Sequence, residues 1–404
     1  MRRYWLSMLL AAVLLFSGCD MPPGSPAGEE GKSAYGDAEP AQDNRKVRIL
    51  ASYDEQKQVT DSFRRLHPET EVEWIKARSD VFLDILASEN PPDIIIMDNG
   101  MIAEVNAMDV FEDLSRPPYE AETRHAGFPG LKLDGFRSLD GSRLIAVPKD
   151  FPMALTFYRE DILAGYGYPV EPEALAAYLE DPRRWLDMAA GLRAAGHWIF
   201  NTPGDPVYVA ATGRSFFGPD RQYQRSGPMM AEAAEMARTV EKSGLARKLN
   251  IWDENGREAI RKGEIVMLYM GEWAANLLKE WDPEHAAQWR MTRLPLGVYG
   301  SQGGASFLIS KYSRSKQASW DYIQHSMKEE APYLESLKGR EYYDRVPPAW
   351  VTPLDSRAHE VWDKQFYDSL AAGRTAAEIL SDQEIKVTST LSKELQIMYE
   401  MLEE

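Results

Sequence analysis

The sequence of 404 residues holds one cysteine, Cys19, so no internal disulfide can form. It has no apolar run of about 20 residues, the length that crosses a bilayer; the run at residues 6–16 stops short. Basic residues are scarce against acidic ones: 46 Lys and Arg face 63 Asp and Glu, a net charge of −17. That balance speaks against nucleic acid or an anionic surface as partner. The six histidines show no HExxH spacing and no close pair, so no catalytic metal is expected. Neither a GxxxxGK[ST] phosphate loop nor a GxSxG elbow occurs. Ser313-Arg314-Ser315-Lys316 matches S-x-x-K, yet the SDN and KTG companions of that chemistry are missing. No D-x-[DN]-x-[DN]-G calcium loop is present. No cofactor is expected, and no internal repeat is found.

What is present begins with an export pattern. Arg2 and Arg3 precede the apolar run, and Ser17 and Gly18 close it, the layout of a secretory signal. Cys19 directly after those small residues resembles the bacterial lipoprotein box, with Phe16 where such boxes usually carry Leu. The resemblance implies cleavage before Cys19, lipid (palmitate among it) on the new amino-terminal residue, and a firm hold on a membrane. An ordinary signal peptide with an incidental cysteine is the alternative. Residues 19–45 are rich in Pro, Gly, Ala, Ser and acids and lack apolar periodicity, so a flexible tether is expected there. The remaining chain exceeds what one hydrophobic core usually serves, and two lobes are expected.

Along that chain, Val47–Ala51 reads as a strand, and Asp54 is placed to cap a following helix. Val59, Phe63 and Leu66 recur at helical spacing and predict its buried face. His67-Pro68 ends the helix. A second strand (Val72 to Ile75) and a second helix (Phe82, Ile85, Leu86) follow. Ile94-Ile95-Ile96-Met97 is an uninterrupted apolar run, as in a strand buried on both faces, and Asp98-Asn99-Gly100 turns the chain. Strand and helix alternate, which predicts an α/β fold with a mostly parallel sheet. Ligands of such sheets bind beyond the carboxyl ends of the strands.

Phe63…His67-Pro68…Val72, Pro92-Asp93-Ile94-Ile95 and Asp113-Leu114 resemble the first lobe of extracellular solute-binding proteins of the maltose-binding class. Asp140-Gly141, Ala146-Val147-Pro148 and Leu155-Thr156-Phe157-Tyr158 continue the likeness, with Arg159 where Asn is usual. Gly263-Glu264, Met267 and Gly271-Glu272-Trp273 come next, then Leu294-Pro295, Gly303-Gly304 and Trp320 to Ile323. The resemblance covers most of residues 45–330. It implies a two-lobe Venus-flytrap fold, each lobe a mostly parallel sheet flanked by helices, with residues 46–150 and 303–333 in lobe 1 and 151–302 and 334–404 in lobe 2. Crossings are expected near Pro148 to Tyr158 and near Gly303 to Ile309, where Pro148 and Pro152 suit a linker.

Such a protein holds a sugar or oligosaccharide in its interlobe cleft and delivers it to the transmembrane subunits of an ABC permease. It does so as a monomer anchored by lipid on the extracytoplasmic face, without catalysis. Delivery of the signal to a sensor kinase, or a secreted carbohydrate-active enzyme, are the alternatives. Sugars are gripped by aromatic rings against their C–H faces and by carboxylates and amides on their hydroxyls. Nine of the eleven tryptophans follow residue 180, which favours the second lobe for stacking. The family's G-x-W element nominates Trp273 and, beside it, Glu272. Trp198 and Trp350 are further candidates, with core positions as their alternative. In the first lobe Tyr53, Asp54 and Asp98 sit at strand ends, with capping or turn roles as alternatives, and Asp150 sits at the hinge.

Overall fold

The computed structural model describes residues 45–403, apart from 125–132, 219, 221, 337–340, 348 and 349. The signal, Cys19 and almost all of the tether lie outside the described residues. Among the described residues eight strands form two sheets: β1 (Lys46–Ala51), β2 (Glu71–Lys76), β3 (Ile94–Asp98), β4 (Val147–Pro148), β5 (Ala154–Arg159), β6 (Met267–Gly271), β7 (Trp289–Arg293) and β8 (Ala305–Ile309). The first sheet has the order β2-β1-β3-β8-β4 and the second β6-β5-β7. β1 pairs in parallel with β2 and β3, as the alternation of strands and helices predicts. β3 lies between β1 and β8, and its Ile94, Ile95, Ile96 and Met97 are buried, as a strand covered on both faces requires. Pro148 ends β4 at the sheet edge, where a missing N–H costs no ladder bond.

The second sheet departs from the mostly parallel expectation, since both of its ladders are antiparallel. β5 leaves the crossing at Ala154, while β6 and β7 both return toward it, so the outgoing strand is flanked by two incoming ones. The first sheet is mixed for the same reason: β8 comes back from the second half of the chain and meets β3 and β4 head to tail.

Asp54 does not cap the first helix, which runs Lys57–Leu66 with Gln56 at its N-cap and no side-chain cap. The chain needs Asp54, Glu55 and Gln56 to leave β1 before the helix starts. Val59, Thr60 and Phe63 are buried, but Leu66 is 67% exposed. The place predicted for it is filled from elsewhere: Phe63 is stacked by His67 at 4.5 Å and met edge-on by Tyr322 at 5.1 Å.

One core gathers around the first sheet and takes in Trp320, Tyr322 and Ile323 of the helix Lys316–Ser336. Tyr343 and Val346 pack in it too, so the chain passes to the C-terminal helices after Val346, later than residue 334. A second core, around Tyr158, Trp185 and Phe200, serves the second sheet. A third is built by helices, with Phe216, Trp362, Phe366 and Ile379 at its centre, and Leu139 of the first half reaches into it.

Arg159, the departure from the family pattern, is buried and held by two carboxylates. Its Nε and Nη2 donate to Asp161 at 2.8 and 2.6 Å, and Nη1 lies 3.5 Å from Asp282. Asp282, 1% exposed, also accepts from Trp289 Nε1 at 2.9 Å. Removing one partner of a buried ion pair strands the other. Asp282→Ala is therefore expected to lower the unfolding free energy by about 3 kcal/mol in urea titration; an unchanged midpoint would mean that Asp161 alone neutralises the guanidinium.

Candidate functional site

The two sheets are joined by an outgoing segment through residues 149–153 and a return through 299–304, and these segments are bonded to each other. Met153 bridges Ser301, Gln302 N–H donates to Pro152 O at 3.1 Å, and Ala154 N–H to Gly300 O at 2.9 Å. Lys149 N–H donates to Ala305 O at 2.8 Å, and Ala305 N–H to the Asp150 carboxylate at 2.6 Å. The end of β3 is tied in by Asn99. Its amide nitrogen donates to Asp150 O at 3.0 Å and Gly303 O at 3.2 Å, its amide oxygen accepts from Ser306 Oγ at 2.6 Å, and its N–H donates to Gly304 O at 3.0 Å. From the second sheet, Glu272 N–H donates to Met153 O at 2.8 Å and Trp273 Nε1 to Gln302 O at 3.0 Å. Asn99, Asp150, Glu272, Trp273 and Gln302 thus converge on one junction.

Two glycines make this approach possible. Gly303 and Gly304 have φ of +75° and +89°, a region that side chains other than glycine's rarely adopt. A Cβ at Gly304 would lie 2.5 Å from Asn99 Nδ2, 2.7 Å from Pro152 Cδ and 2.9 Å from Asp150 Oδ1.

Asp98 ends β3 beside this junction. Its carboxylate accepts from Gly100 N at 2.8 Å, and partial desolvation raises its pKa above the ordinary 3.8 against the pull of that bond. β1 and β3 run in parallel, Ile49 beside Ile94 and Leu50 beside Ile95, so Tyr53 follows β1 at the end of the sheet where Asp98 closes β3. Tyr53 is half-buried, its ring 5.9 Å from that of Trp74, whose Nε1 donates to Tyr53 O at 3.0 Å. Asp54 is exposed and pairs with Lys76 at 2.9 Å, a pair worth little in water.

Trp350 is partly buried against the third core, and its indole nitrogen is buried without a hydrogen-bond partner among the described residues. The neighbouring Val351 O accepts from Asn106 Nδ2 at 3.1 Å, and Ser356 Oγ donates to Glu104 at 2.7 Å, so this segment touches the helix Ile102–Val105. Gln302 Oε1 is likewise buried without a partner.

Trp198 does not join the others. It bridges Ile265, its N–H donating to Glu264 O at 2.6 Å, and the Arg247 guanidinium lies 5.1 Å from its ring. Ile265 precedes Gly271 by six residues, about 20 Å of extended strand at roughly 3.3 Å per residue. The expectation of a ligand contact fails there because β6 runs toward the junction and Trp198 pairs beside its starting end. Sequence reasoning passed over Asn99, read as a turn residue, and Gln302 and Trp252, which carry no motif. The Gly303-Gly304 pair was the one signal that something packs tightly against the return.

Among the described residues no cluster of His, Cys, Asp or Glu is arranged to hold a metal ion, and no helix is long and apolar enough to cross a membrane. Gly304→Ala is expected to cost about 2 kcal/mol, through positive φ and overlap together. Chemical denaturation checks it, with Gly244→Ala, at φ +62° but with open space around it, separating the backbone part from the overlap.

A family model described as bacterial extracellular solute-binding protein matches residues 58–338. A search of curated proteins finds no match. Among solved structures, the sugar-binding protein MalE from Xanthomonas citri is 19% identical with a TM-score of 0.70, covering 88% of this chain and 99% of its own. The galacto-N-biose-/lacto-N-biose I-binding protein of the ABC transporter from Bifidobacterium longum, in complex with lacto-N-biose, is 14% identical with a TM-score of 0.66, covering 86% and 97%. An ABC substrate-binding protein from Listeria monocytogenes in complex with cycloalternan is 17% identical, TM-score 0.63, covering 86% and 98%. At these identities the likeness establishes the two-lobe fold.

Proposed function

The chain belongs to the bacterial extracellular solute-binding proteins, and from that premise we propose that it captures a carbohydrate between its lobes and delivers it to an ABC import permease. The convergence of Trp273, Asp98 and Gln302 on the bonded junction carries the proposal. Trp273 supplies an aromatic surface for the C–H face of a sugar ring, the Asp98 carboxylate accepts a hydroxyl proton, and the unpartnered Gln302 Oε1 accepts another. Trp350 Nε1 offers a donor from the segment that follows Val346. Binding shifts the equilibrium toward a closed arrangement by as much as the ligand prefers it, through rotation about the crossings.

Binding without turnover is part of the reading. The Asp150 carboxylate accepts from backbone N–H of Ala305 and so serves the hinge instead of a proton transfer. The signal at residues 1–18 and lipid on Cys19 complete the proposal: the protein works as a monomer, held on the extracytoplasmic face by its anchor with residues 20–45 as the tether. Several relatives of the same fold are named for sugars or carry them, which supports carbohydrate over other solutes.

A thermal-shift screen over mono- and oligosaccharides, amino acids and peptides tests this, because a ligand of the folded state raises its melting temperature. Stabilisation by a carbohydrate, lost in Trp273→Ala, is the expected result; stabilisation by amino acids or peptides alone would overturn it.

Asp98 yields a separate expectation. Its raised pKa means the folded protein binds that proton more tightly than the unfolded chain, so the ionised form weakens the fold at pH above the ordinary carboxyl value. A hydroxyl, by contrast, is held best by the ionised form. Asp98→Asn, which keeps an acceptor for Gly100 N–H, is expected to raise the melting temperature at pH 7 and to weaken carbohydrate binding about tenfold. Wild-type affinity should fall as pH drops through the raised pKa, while that of the Asn variant stays level, as calorimetric titration would report.

A further inference from the structure

Trp252 stands out among the exposed apolar side chains. It is 52% exposed, and scattered exposed residues ordinarily need no explanation. This one is stacked on Trp273, with ring centroids 6.1 Å apart and planes 26° from parallel. Trp281 meets it edge-on at 5.4 Å. Its backbone is fixed as well: Trp252 N–H donates to Asn250 Oδ1 at 3.1 Å, and Arg257 Nη2 donates to Trp252 O at 3.1 Å. Asp253, the next residue, caps the helix Glu254–Arg261 by accepting from Gly256 N at 3.0 Å. An indole left in solvent yet held in one orientation by two other rings and a capped helix has already given up the freedom that binding would otherwise cost.

Its position follows from the topology. β6 reaches the junction at Gly271, and the helix Glu254–Arg261 precedes it, so the start of that helix and the end of β6 meet where Trp252 touches Trp273. The apolar surface that begins at the junction therefore continues outward over Trp252.

We propose that the exposed face of Trp252 is a second stacking surface of the same site, which makes the ligand an oligosaccharide of at least two rings. The inner ring lies at Trp273 and the outer one on Trp252. This rests on the carbohydrate reading given above. The inner position selects the sugar; the outer one selects for length, since a monosaccharide held at Trp273 leaves the Trp252 face in water.

The test compares wild type, Trp252→Ala, Trp252→Phe and Trp273→Ala by calorimetric titration against glucose, galactose and their α- and β-linked di- to tetrasaccharides. Wild type is expected to bind a di- or longer saccharide more tightly than its constituent monosaccharide. Trp252→Ala should remove about tenfold of affinity for the longer sugar and, because Trp252 braces Trp273, lower that for the monosaccharide by a clearly smaller factor, with Trp252→Phe keeping most of the gain. Trp273→Ala should weaken both. Loss of affinity for both sugars alike in Trp252→Ala, or for neither, would overturn the proposal. An independent readout is oxidation by N-bromosuccinimide mapped by peptide mass spectrometry: the bound saccharide should protect Trp252, and absence of protection counts against the outer surface. If wild type binds a monosaccharide but gains nothing with length, the second surface fails while the carbohydrate reading survives. If no sugar of the series binds, the carbohydrate reading itself falls and takes this one with it.

Discussion

Everything near the site depends on how closely the return segment passes the end of β3. Because Gly304 has no side chain, Asn99, Asp150 and Pro152 close in on the same few ångströms, and the bonds among them satisfy backbone groups that an irregular crossing would otherwise leave bare. Buried, unpaired backbone groups are expensive, so a segment passing between two lobes needs partners other than a sheet ladder. Here the partners are side chains. Asn99 alone supplies two donors and an acceptor to both crossings, to Asp150 of the outgoing one and to Gly303 and Ser306 of the return. The proposed closure would keep these bonds and place the rotation in the residues flanking them.

That junction also explains the two sheets. Any strand that starts at the crossing runs outward and any strand that ends there runs inward. The first sheet gains antiparallel β8 by this rule, and the second becomes antiparallel throughout. Both sheets point strand ends at the junction. Asp98 and the turn after it come from one side, Glu272 and Trp273 from the other, without either depending on long loops to reach.

Much of this was legible. The apolar run Ile94 to Met97 announced a strand buried on both faces, the alternation up to it announced the parallel part of the first sheet, and Pro148 and Pro152 announced the outgoing crossing. Helical or strand positions assign Trp185, Trp281, Trp289, Trp320 and Trp362 to the core; all are buried except Trp289, which is half-buried. What escaped had physical reasons. Leu66 fits helical periodicity, but periodicity cannot see that His67, Tyr322 and His325 arrive to cover Phe63. Trp198 is a large aromatic ahead of an apolar pair, and its distance from the junction is set by its pairing with Ile265, a contact made across more than sixty residues. Asn99 and Trp252 have no motif because their roles come from segments distant in sequence. Asn99 reads as a turn residue until the return segment is laid against it, and Trp252 as a loop residue until Trp273 is.

The two aspartates at the junction show how one residue type is put to opposite uses. Asp150 sits where a backbone N–H is delivered to it, so its charge is spent inside the protein and steadies the crossing. Asp98 is exposed at the end of β3 and accepts from Gly100 within its own turn, and partial desolvation holds its carboxylate above its ordinary pKa. A carboxylate with a single donor from the chain and a side open to solvent has more to gain from an incoming hydroxyl than one already bonded within the crossing. Sequence gives both residues equal standing as ligand contacts; the supply of donors from the chain itself commits Asp150 to the crossing and leaves Asp98 as the one proposed to meet a hydroxyl.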